Sequence, residues 1–252
     1  AKLIPMALTG RDILGQAKTG TGKTAAFGLP LLNMCDRDKP FQALVLAPTR
    51  ELAIQITAEI DKLGKFTPIR STTVYGGQAI RSQADKLAKG AQIIVGTPGR
   101  VMDMVQRGLL HFNNLRFAVL DEVDRMLDIG FREDIRRILD MCPPPRESLE
   151  PGAPGRQTIM VSATLSPEIE RLARRYMSNP EKLIITSGSL TVSLVEQYYL
   201  PVQPWDKKRL LVHLLQHEEP ALTVVFCRLK RTVDELARHL AEKGIDAIAL
   251  HG

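Results

Sequence analysis

Short apolar runs alternate with amphipathic helical stretches along much of the chain. The apolar runs have the length and composition of buried strands, and they lie at 43–47, 72–75, 92–96, 117–121 and 158–162. The helical stretches lie near 51–65, 78–89, 98–107, 131–141 and 167–176. This alternation predicts an α/β fold in which a parallel sheet is covered by helices on both faces. In such folds ligands gather at the carboxyl ends of the strands, where residues distant in sequence meet.

A glycine-rich segment follows a short apolar strand at 12–15 and opens a helical pattern. It reads Ala17-Lys18-Thr19-Gly20-Thr21-Gly22-Lys23-Thr24. Small residues let backbone N–H groups turn inward around a polyphosphate, Lys23 supplies a cation, and the Thr24 hydroxyl is placed to bind Mg²⁺. The strict loop pattern begins with glycine where this chain has Ala17, a difference of one methyl group. The segment predicts a nucleoside triphosphate site, and the alternative is a chance glycine-rich turn.

Three carboxylates follow the apolar run that begins at residue 117. They are Asp121, Glu122 and Asp124. Acids crowded at one strand end repel each other unless a cation lies among them. Next to a phosphate-binding loop, one such carboxylate holds the Mg²⁺ and a neighbour orients or deprotonates the attacking water. We therefore predict Asp121 as the metal carboxylate and Glu122 as the base; the alternative is a polar loop with solvated charges.

Five further motifs occur in a fixed order along the chain. They are Pro48-Thr49-Arg50-Glu51-Leu52-Ala53, Gly76-Gly77, Thr97-Pro98-Gly99-Arg100, Ser162-Ala163-Thr164 and Val225-Phe226-Cys227. Together with the phosphate loop and the acids, they make the chain resemble the DEAD-box RNA helicases nearly from end to end. Val123 stands where the family's name motif has alanine, which keeps all three acids. The resemblance implies RecA-like domains, ATP and Mg²⁺ as cofactors, and RNA as a partner.

The resemblance also implies roles for individual residues. Lys23, Asp121 and Glu122 would serve catalysis, and Thr24 with Asp121 would hold the metal. Contacts to the RNA backbone would fall on Pro48, Thr49, Arg50, Gly76, Gly77, Thr97, Pro98, Gly99 and Arg100. These segments lie at or next to helix starts, where free N–H groups favour phosphate; alternatively, the two arginines pair with acids such as Glu51 and Asp103. Asp124, Ser162 and Thr164 would couple the ATP state to RNA strand separation, and the hydroxyls alone would be read as helix caps.

The resemblance divides the chain into domains. Residues 1–186 would form an N-terminal RecA-like ATP-binding domain, 187–194 a small polar linker, and 195–252 a truncated C-terminal RecA-like domain. The second domain is expected to contain strands at 195–202, 223–227 and 247–251. In the family, an adenine-reading element lies upstream of the position of residue 1, and arginines that reach the γ-phosphate lie beyond residue 252. A fragment that is inactive by itself is therefore expected, the alternative being a naturally reduced protein.

The segment 143–155 is rich in proline and glycine, which excludes helix and strand. We predict a surface loop there, either a tolerated insertion or a partner-binding segment.

Composition narrows the choice of partner and compartment. A net charge of +6 with a pI near 9.3 favours a polyanion, and an aromatic content of 5% disfavours stacked bases. Sequence-independent RNA binding through phosphate and sugar is therefore expected. Three widely spaced cysteines suggest neither a zinc site nor a disulfide framework. No apolar run approaches the roughly 20 residues that span a bilayer, so we predict no membrane association and a cytoplasmic location, with nucleus or organelle left open.

These observations predict an ATP-dependent RNA helicase that couples hydrolysis to local strand separation. Two alternatives stay open. An ATP-gated RNA clamp or scaffold would bind the same ligands with little turnover. A DNA-directed helicase of related fold would differ in its response to the 2′-hydroxyl.

Overall fold

The computed structural model describes residues 2–17, 22–147, 155–184, 196, 198–218 and 220–251. The phosphate-loop residues Lys18, Thr19, Gly20 and Thr21 lie outside the described residues, as does the whole predicted linker, 187–194. Packing divides the chain into two compact units, 1–188 and 189–252, which are described separately.

The described residues of the first unit contain seven parallel strands. They are β1 (Ile13–Gln16), β2 (Ala43–Leu46), β3 (Ser71–Val74), β4 (Ile93–Gly96), β5 (Phe117–Asp121), β6 (Gln157–Ser162) and β7 (Glu181–Ile184). They form one sheet in the order β3-β4-β2-β5-β6-β1-β7, and every neighbouring pair is parallel. The predicted parallel α/β sheet is therefore confirmed.

In the same described part of the chain, eight helices connect and flank these strands. They are α1 (Leu3–Leu8), α2 (Lys23–Met34), α3 (Arg50–Leu63), α4 (Ile80–Leu87), α5 (Pro98–Gln106), α6 (Val123–Ile129), α7 (Arg132–Met141) and α8 (Pro167–Tyr176). Two starts show how the sequence sets helix boundaries. The Thr49 hydroxyl accepts from Leu52 N at 3.2 Å to cap α3, and the Ser166 hydroxyl accepts from Ile169 N at 3.4 Å before α8.

The core consists of two apolar layers, one on each face of the sheet. Within β2, Ala43 and Val45 face α1, α2 and α3, whereas Leu44 and Leu46 face α4 to α8. Because both faces are covered, β2, β4 and β5 are buried along their whole length. This explains why the sequence shows continuous apolar runs there and no alternation of apolar with polar residues.

The structure adds elements that the sequence patterns did not indicate. Helix α1 precedes the first strand, α6 begins directly after Glu122, and β7 is a half-exposed edge strand. In the proline-rich segment, Pro145 forms an isolated parallel bridge with Arg156, and residues 148–154 lie outside the described residues.

The second unit contains α9 (Lys207–His217) and α10 (Lys230–Glu242), with a 3₁₀ turn at Pro204–Asp206. The prediction of strands at 195–202, 223–227 and 247–251 is wrong for the described residues of this unit, which contain no strand. A parallel strand exists only where a neighbour supplies hydrogen bonds. The apolar side chains of these segments are exposed instead, with Phe226 at 93%.

None of the helices in the described part of the chain combines the length and apolar character needed to cross a bilayer.

Candidate functional site

Three neighbouring strands bring the predicted catalytic residues together. β6 lies between β5 and β1 in the sheet. The phosphate loop follows β1, the acids end and follow β5, and Ser162-Ala163-Thr164 ends and follows β6. Because the strands are parallel, these segments all lie at the carboxyl edge of the sheet, nearly 150 positions apart in sequence at most.

The described ends of the phosphate loop have the geometry expected of an anion site. Gly22 has a left-handed backbone with φ 74° and precedes α2, whose N-terminus has no side-chain cap. The first N–H groups of α2 and its positive dipole end are therefore available to a phosphate. Ala17 is buried in the apolar core, so the methyl group that departs from the loop pattern packs among other side chains.

Lys23 and Asp121 form a buried ion pair. The Lys23 Nζ and Asp121 Oδ1 atoms are 3.4 Å apart, and the two side chains are 10% and 3% exposed. Burial raises the pKa of the Asp121 carboxyl, and the charge of Lys23 opposes that rise. The pair thus places a cation and a carboxylate beside the phosphate loop before any ligand binds.

A cavity of about 400 Å³ joins these residues to the others predicted for nucleotide chemistry. Its lining comprises Gly22, Lys23, Thr24, Ala25, Leu52, Gln55, Glu59, Asp121 and Glu122. The Thr24 hydroxyl and the Asp121 carboxylate are hard oxygen ligands of the kind that Mg²⁺ prefers, so the donor set fits this metal. Among the described residues, no group of three or more His, Cys, Asp or Glu side chains could by itself hold a metal ion.

Sequence reasoning missed Gln55 and Glu59, which line this cavity from α3. Gln55 follows Leu52 by three residues and Glu59 follows Gln55 by four, which puts all three on one helix face and was the available signal.

Glu122 occupies an unusual backbone position for a side chain of its size. Its φ of 52° lies in the left-handed region, where the chain turns from β5 into α6. Burial raises the pKa of Glu122, and the charges of Asp121 and Asp124 add to the rise, while Lys23 and Arg125 oppose it. A carboxylate with a raised pKa is better suited to accept a proton from water than an ordinary surface glutamate.

Asp124 is bonded to the Ser-Ala-Thr segment. Its Oδ2 atom accepts from Ala163 N at 3.1 Å, from Thr164 N at 3.0 Å and from the Thr164 hydroxyl at 3.2 Å. Its own N–H donates to the Ser162 hydroxyl at 3.3 Å. The structure therefore brings Asp124, Ser162 and Thr164 into contact; their coupling role stays a prediction.

The residues predicted to contact RNA lie after β2, β3 and β4, on the other half of the sheet. Gly76, Gly77 and Gly99 are exposed, whereas Pro48 and Pro98 are buried and Thr97 is half-buried. The two buried prolines therefore set the backbone conformation of these loops, and their side chains are not accessible to a ligand.

Two arginines connect these loops. Arg100 donates to the Gln78 carbonyl at 3.1 Å, and a Cβ at Gly77 would lie 3.7 Å from an Arg50 nitrogen, so the segments are neighbours. Both alternative ion pairs are also formed, Arg50 with Glu51 at 3.1 Å and Arg100 with Asp103 at 3.7 Å.

Fold and site together define a P-loop nucleotide-binding unit with a RecA-like parallel sheet. The family model of the DEAD/DEAH box helicases matches residues 1–172. The chain therefore belongs to the DEAD/DEAH box helicase family, and the family resemblance found in the sequence is confirmed.

Individual relatives and solved structures agree with this assignment. The ATP-dependent RNA helicase CshA of Limosilactobacillus reuteri is 44% identical over 250 residues, covering 99% of this chain and 48% of the relative. The DEAD-box ATP-dependent RNA helicase CshA of Bacillus subtilis is 44% identical over 253 residues, covering 100% of the chain and 49% of the relative. A DEAD box protein from Methanococcus jannaschii has a TM-score of 0.67 at 37% identity, covering 100% of this chain and 65% of that one. The chain spans about half the length of these curated relatives.

Proposed function

We propose that the protein is an ATP-dependent RNA helicase that binds RNA through its backbone and couples ATP hydrolysis to local strand separation. The observation that carries the proposal is the shared cavity of Lys23, Thr24, Asp121 and Glu122, with Asp124 bonded to the adjoining Ser-Ala-Thr segment. The names of the two CshA relatives, which are ATP-dependent RNA helicases, support the same activity. We also propose the domain limits predicted from sequence, which the division of the chain at residue 188 supports.

In the proposed reaction, the free N–H groups of α2 and the Lys23 ammonium bind the β- and γ-phosphates. Thr24 and Asp121 would hold Mg²⁺, which when bound neutralises charge on the phosphoryl group. Glu122 takes the proton of the attacking water, and Asp121 keeps Lys23 in place until the nucleotide arrives.

RNA binding is proposed to use the loops after β2, β3 and β4. Arg50, Gly77 and Gly99 are exposed there, and a guanidinium and glycine backbone N–H groups are donors of the kind that bind phosphate and sugar oxygens. The predicted cytoplasmic location stays a prediction.

The test uses a chimaera in which these 252 residues replace the matching half of the Bacillus subtilis relative. We expect RNA-stimulated phosphate release and duplex separation, both abolished by Glu122→Gln. Binding of ATP and RNA with little turnover would instead identify the RNA clamp, and equal stimulation by DNA of the same sequence would identify the DNA-directed helicase.

The 252-residue chain alone is expected to bind nucleotide without RNA-stimulated turnover. Its second unit leaves apolar segments exposed and unpaired among the described residues, so it does not present a packed sheet to RNA. Robust RNA-dependent turnover by the chain alone would contradict this expectation.

A further inference from the structure

Gln16 is the last residue of β1 and directly precedes the phosphate loop. Its side-chain Nε2 donates to the Ala163 carbonyl at 3.0 Å. The next residue, Ala17, donates its N–H to the Ser162 carbonyl at 2.9 Å and so extends the parallel ladder between β1 and β6. The start of the phosphate loop is therefore joined to the Ser-Ala-Thr segment by one backbone bond and one side-chain bond.

Ala163 is held from its other side by Asp124. Its N–H donates to Asp124 Oδ2 while its carbonyl accepts from Gln16. A continuous line of hydrogen bonds thus runs from β1 across the end of β6 to the first turn of α6, which follows Glu122. One end of this line, Gln16, precedes the phosphate loop by one residue, and the other, Asp124, lies two residues after Glu122, which lines the nucleotide cavity. The middle of the line is the segment predicted to respond to the nucleotide.

The amide of Gln16 contributes a donor that an apolar side chain of the same length would lack. Gln16 is half-buried and its side chain has several rotatable bonds. Without the bond to the Ala163 carbonyl, the side chain would be free to extend into solvent. At 3.0 Å the bond is near its optimal length, and a displacement of β1 by about half an ångström would already weaken it.

We infer that Gln16 is a positioning residue that transmits nucleotide binding at the phosphate loop to the Ser-Ala-Thr segment. This inference rests on the proposed function, because it requires that the loop binds a nucleotide. Gln16 acts through Ala163 and does not itself touch the reacting atoms. Energetic coupling of this kind needs a physical connection whose geometry differs between the free and bound states.

The experiment measures hydrogen exchange of the amides at 162–166 in the 252-residue chain, with and without Mg²⁺ and a non-hydrolysable ATP analogue. The analogue is expected to slow exchange at Ala163 and Thr164 in the wild type. In Gln16→Met, which keeps the length and lacks the donor, the affinity for the analogue should stay within about twofold. The slowing should weaken by about 2- to 10-fold, which is the factor that one net hydrogen bond supplies.

Two further variants separate coupling from packing. Gln16→Glu places a carboxylate against the Ala163 carbonyl and should weaken the response at least as much as Gln16→Met. Asn114→Ala removes a bond of the same type, from Nδ2 to the Pro40 carbonyl at 3.1 Å. These two residues precede β5 and β2 and so lie at the amino edge of the strands, away from the nucleotide cavity. It should leave the response unchanged.

The possible results distinguish the inference from the proposed function. A full response in Gln16→Met would show that Gln16 only fills space, and a response lost equally in Asn114→Ala would show general destabilisation; either result overturns the inference. Failure of the wild type to bind the analogue would refute the proposed function as well. Measuring the affinity of each variant first tells these failures apart.

Discussion

Replacing Lys23 by alanine should destabilise the protein even when no nucleotide is present. The substitution removes the cation beside Asp121, whose side chain is 3% exposed. An unpaired carboxylate at such a site either stays charged at a high desolvation cost or takes up a proton. The free-energy cost of protonating Asp121 depends on the pH of the solution.

The size of the effect follows from the ordinary pKa of the Asp121 carboxyl, 3.8. Keeping that group protonated costs about 1.4 kcal/mol for each pH unit above 3.8. The greatest possible loss of unfolding free energy is therefore about 4 kcal/mol at pH 7 and about 1.6 kcal/mol at pH 5. A carboxyl whose pKa is raised in the folded state makes the protein less stable as the pH rises, so the loss must be larger at pH 7 than at pH 5. We expect Lys23→Ala to lose about 2–4 kcal/mol at pH 7 and about 1–2 kcal/mol at pH 5.

The assay is urea unfolding of the chain at both pH values, followed by far-ultraviolet circular dichroism. The double variant Lys23→Ala/Asp121→Asn should recover most of the loss, because an amide carries no charge to bury. Lys39→Ala is the matched control, since Lys39 pairs with Asp36 at 3.9 Å but is 64% exposed, and it should change stability by less than about 0.5 kcal/mol. A loss in Lys23→Ala that is equal at pH 5 and pH 7 would refute the reasoning.

Three further outcomes are expected. In nucleotide-binding and turnover assays on the chimaera, Lys23→Ala should lose ATP binding, whereas Glu122→Gln should keep it and lose turnover; equal loss of affinity in both would overturn the assignment. RNA affinity measured by titration should fall steeply with salt and change less than about tenfold when the RNA sequence is scrambled. Burial raises the pKa of Asp12 to about 6 although it accepts from Thr158 N and Ser178 N. Relative to Asp12→Asn, the wild type should therefore lose about 2 kcal/mol of unfolding free energy between pH 4 and pH 6, and a flat difference would show that Asp12 does not titrate there.

The sequence could predict which segments become strands because both faces of the sheet are covered. Runs such as 43–47 and 92–96 then have to be apolar throughout, and the observed β2 and β4 differ from them by a residue at the ends. The strand order could not be predicted, because it depends on how α1 to α8 pack on the two faces. The error in the second unit has a related cause: the apolar composition of 223–227 says nothing about whether a neighbour is present to pair with it.

The residues of the candidate site could be predicted from sequence only where their charge and their position indicate a chemical role. Asp121 and Glu122 carry charges at the end of β5, Lys23 carries one at the start of α2, and the structure places the three in one cavity. Gln16 and Gln55 are neutral amides in unremarkable sequence positions. Their involvement depends on which strand or helix lies beside them, and this is a property of the fold alone.

The two arginines proposed to bind RNA differ in how freely they could do so. Arg50 is 53% exposed and its partner Glu51 is 66% exposed, so water screens this pair and a phosphate can replace the carboxylate at little cost. Arg100 is only 12% exposed and is fixed by Asp103 and by the Gln78 carbonyl. An RNA phosphate would therefore gain mainly from Arg50, while Arg100 holds the loop that carries Gly77 in position. Arg50→Ala should accordingly reduce the salt dependence of RNA binding by about one phosphate contact, whereas Arg100→Ala should weaken binding by loosening the loop and leave that dependence nearly unchanged.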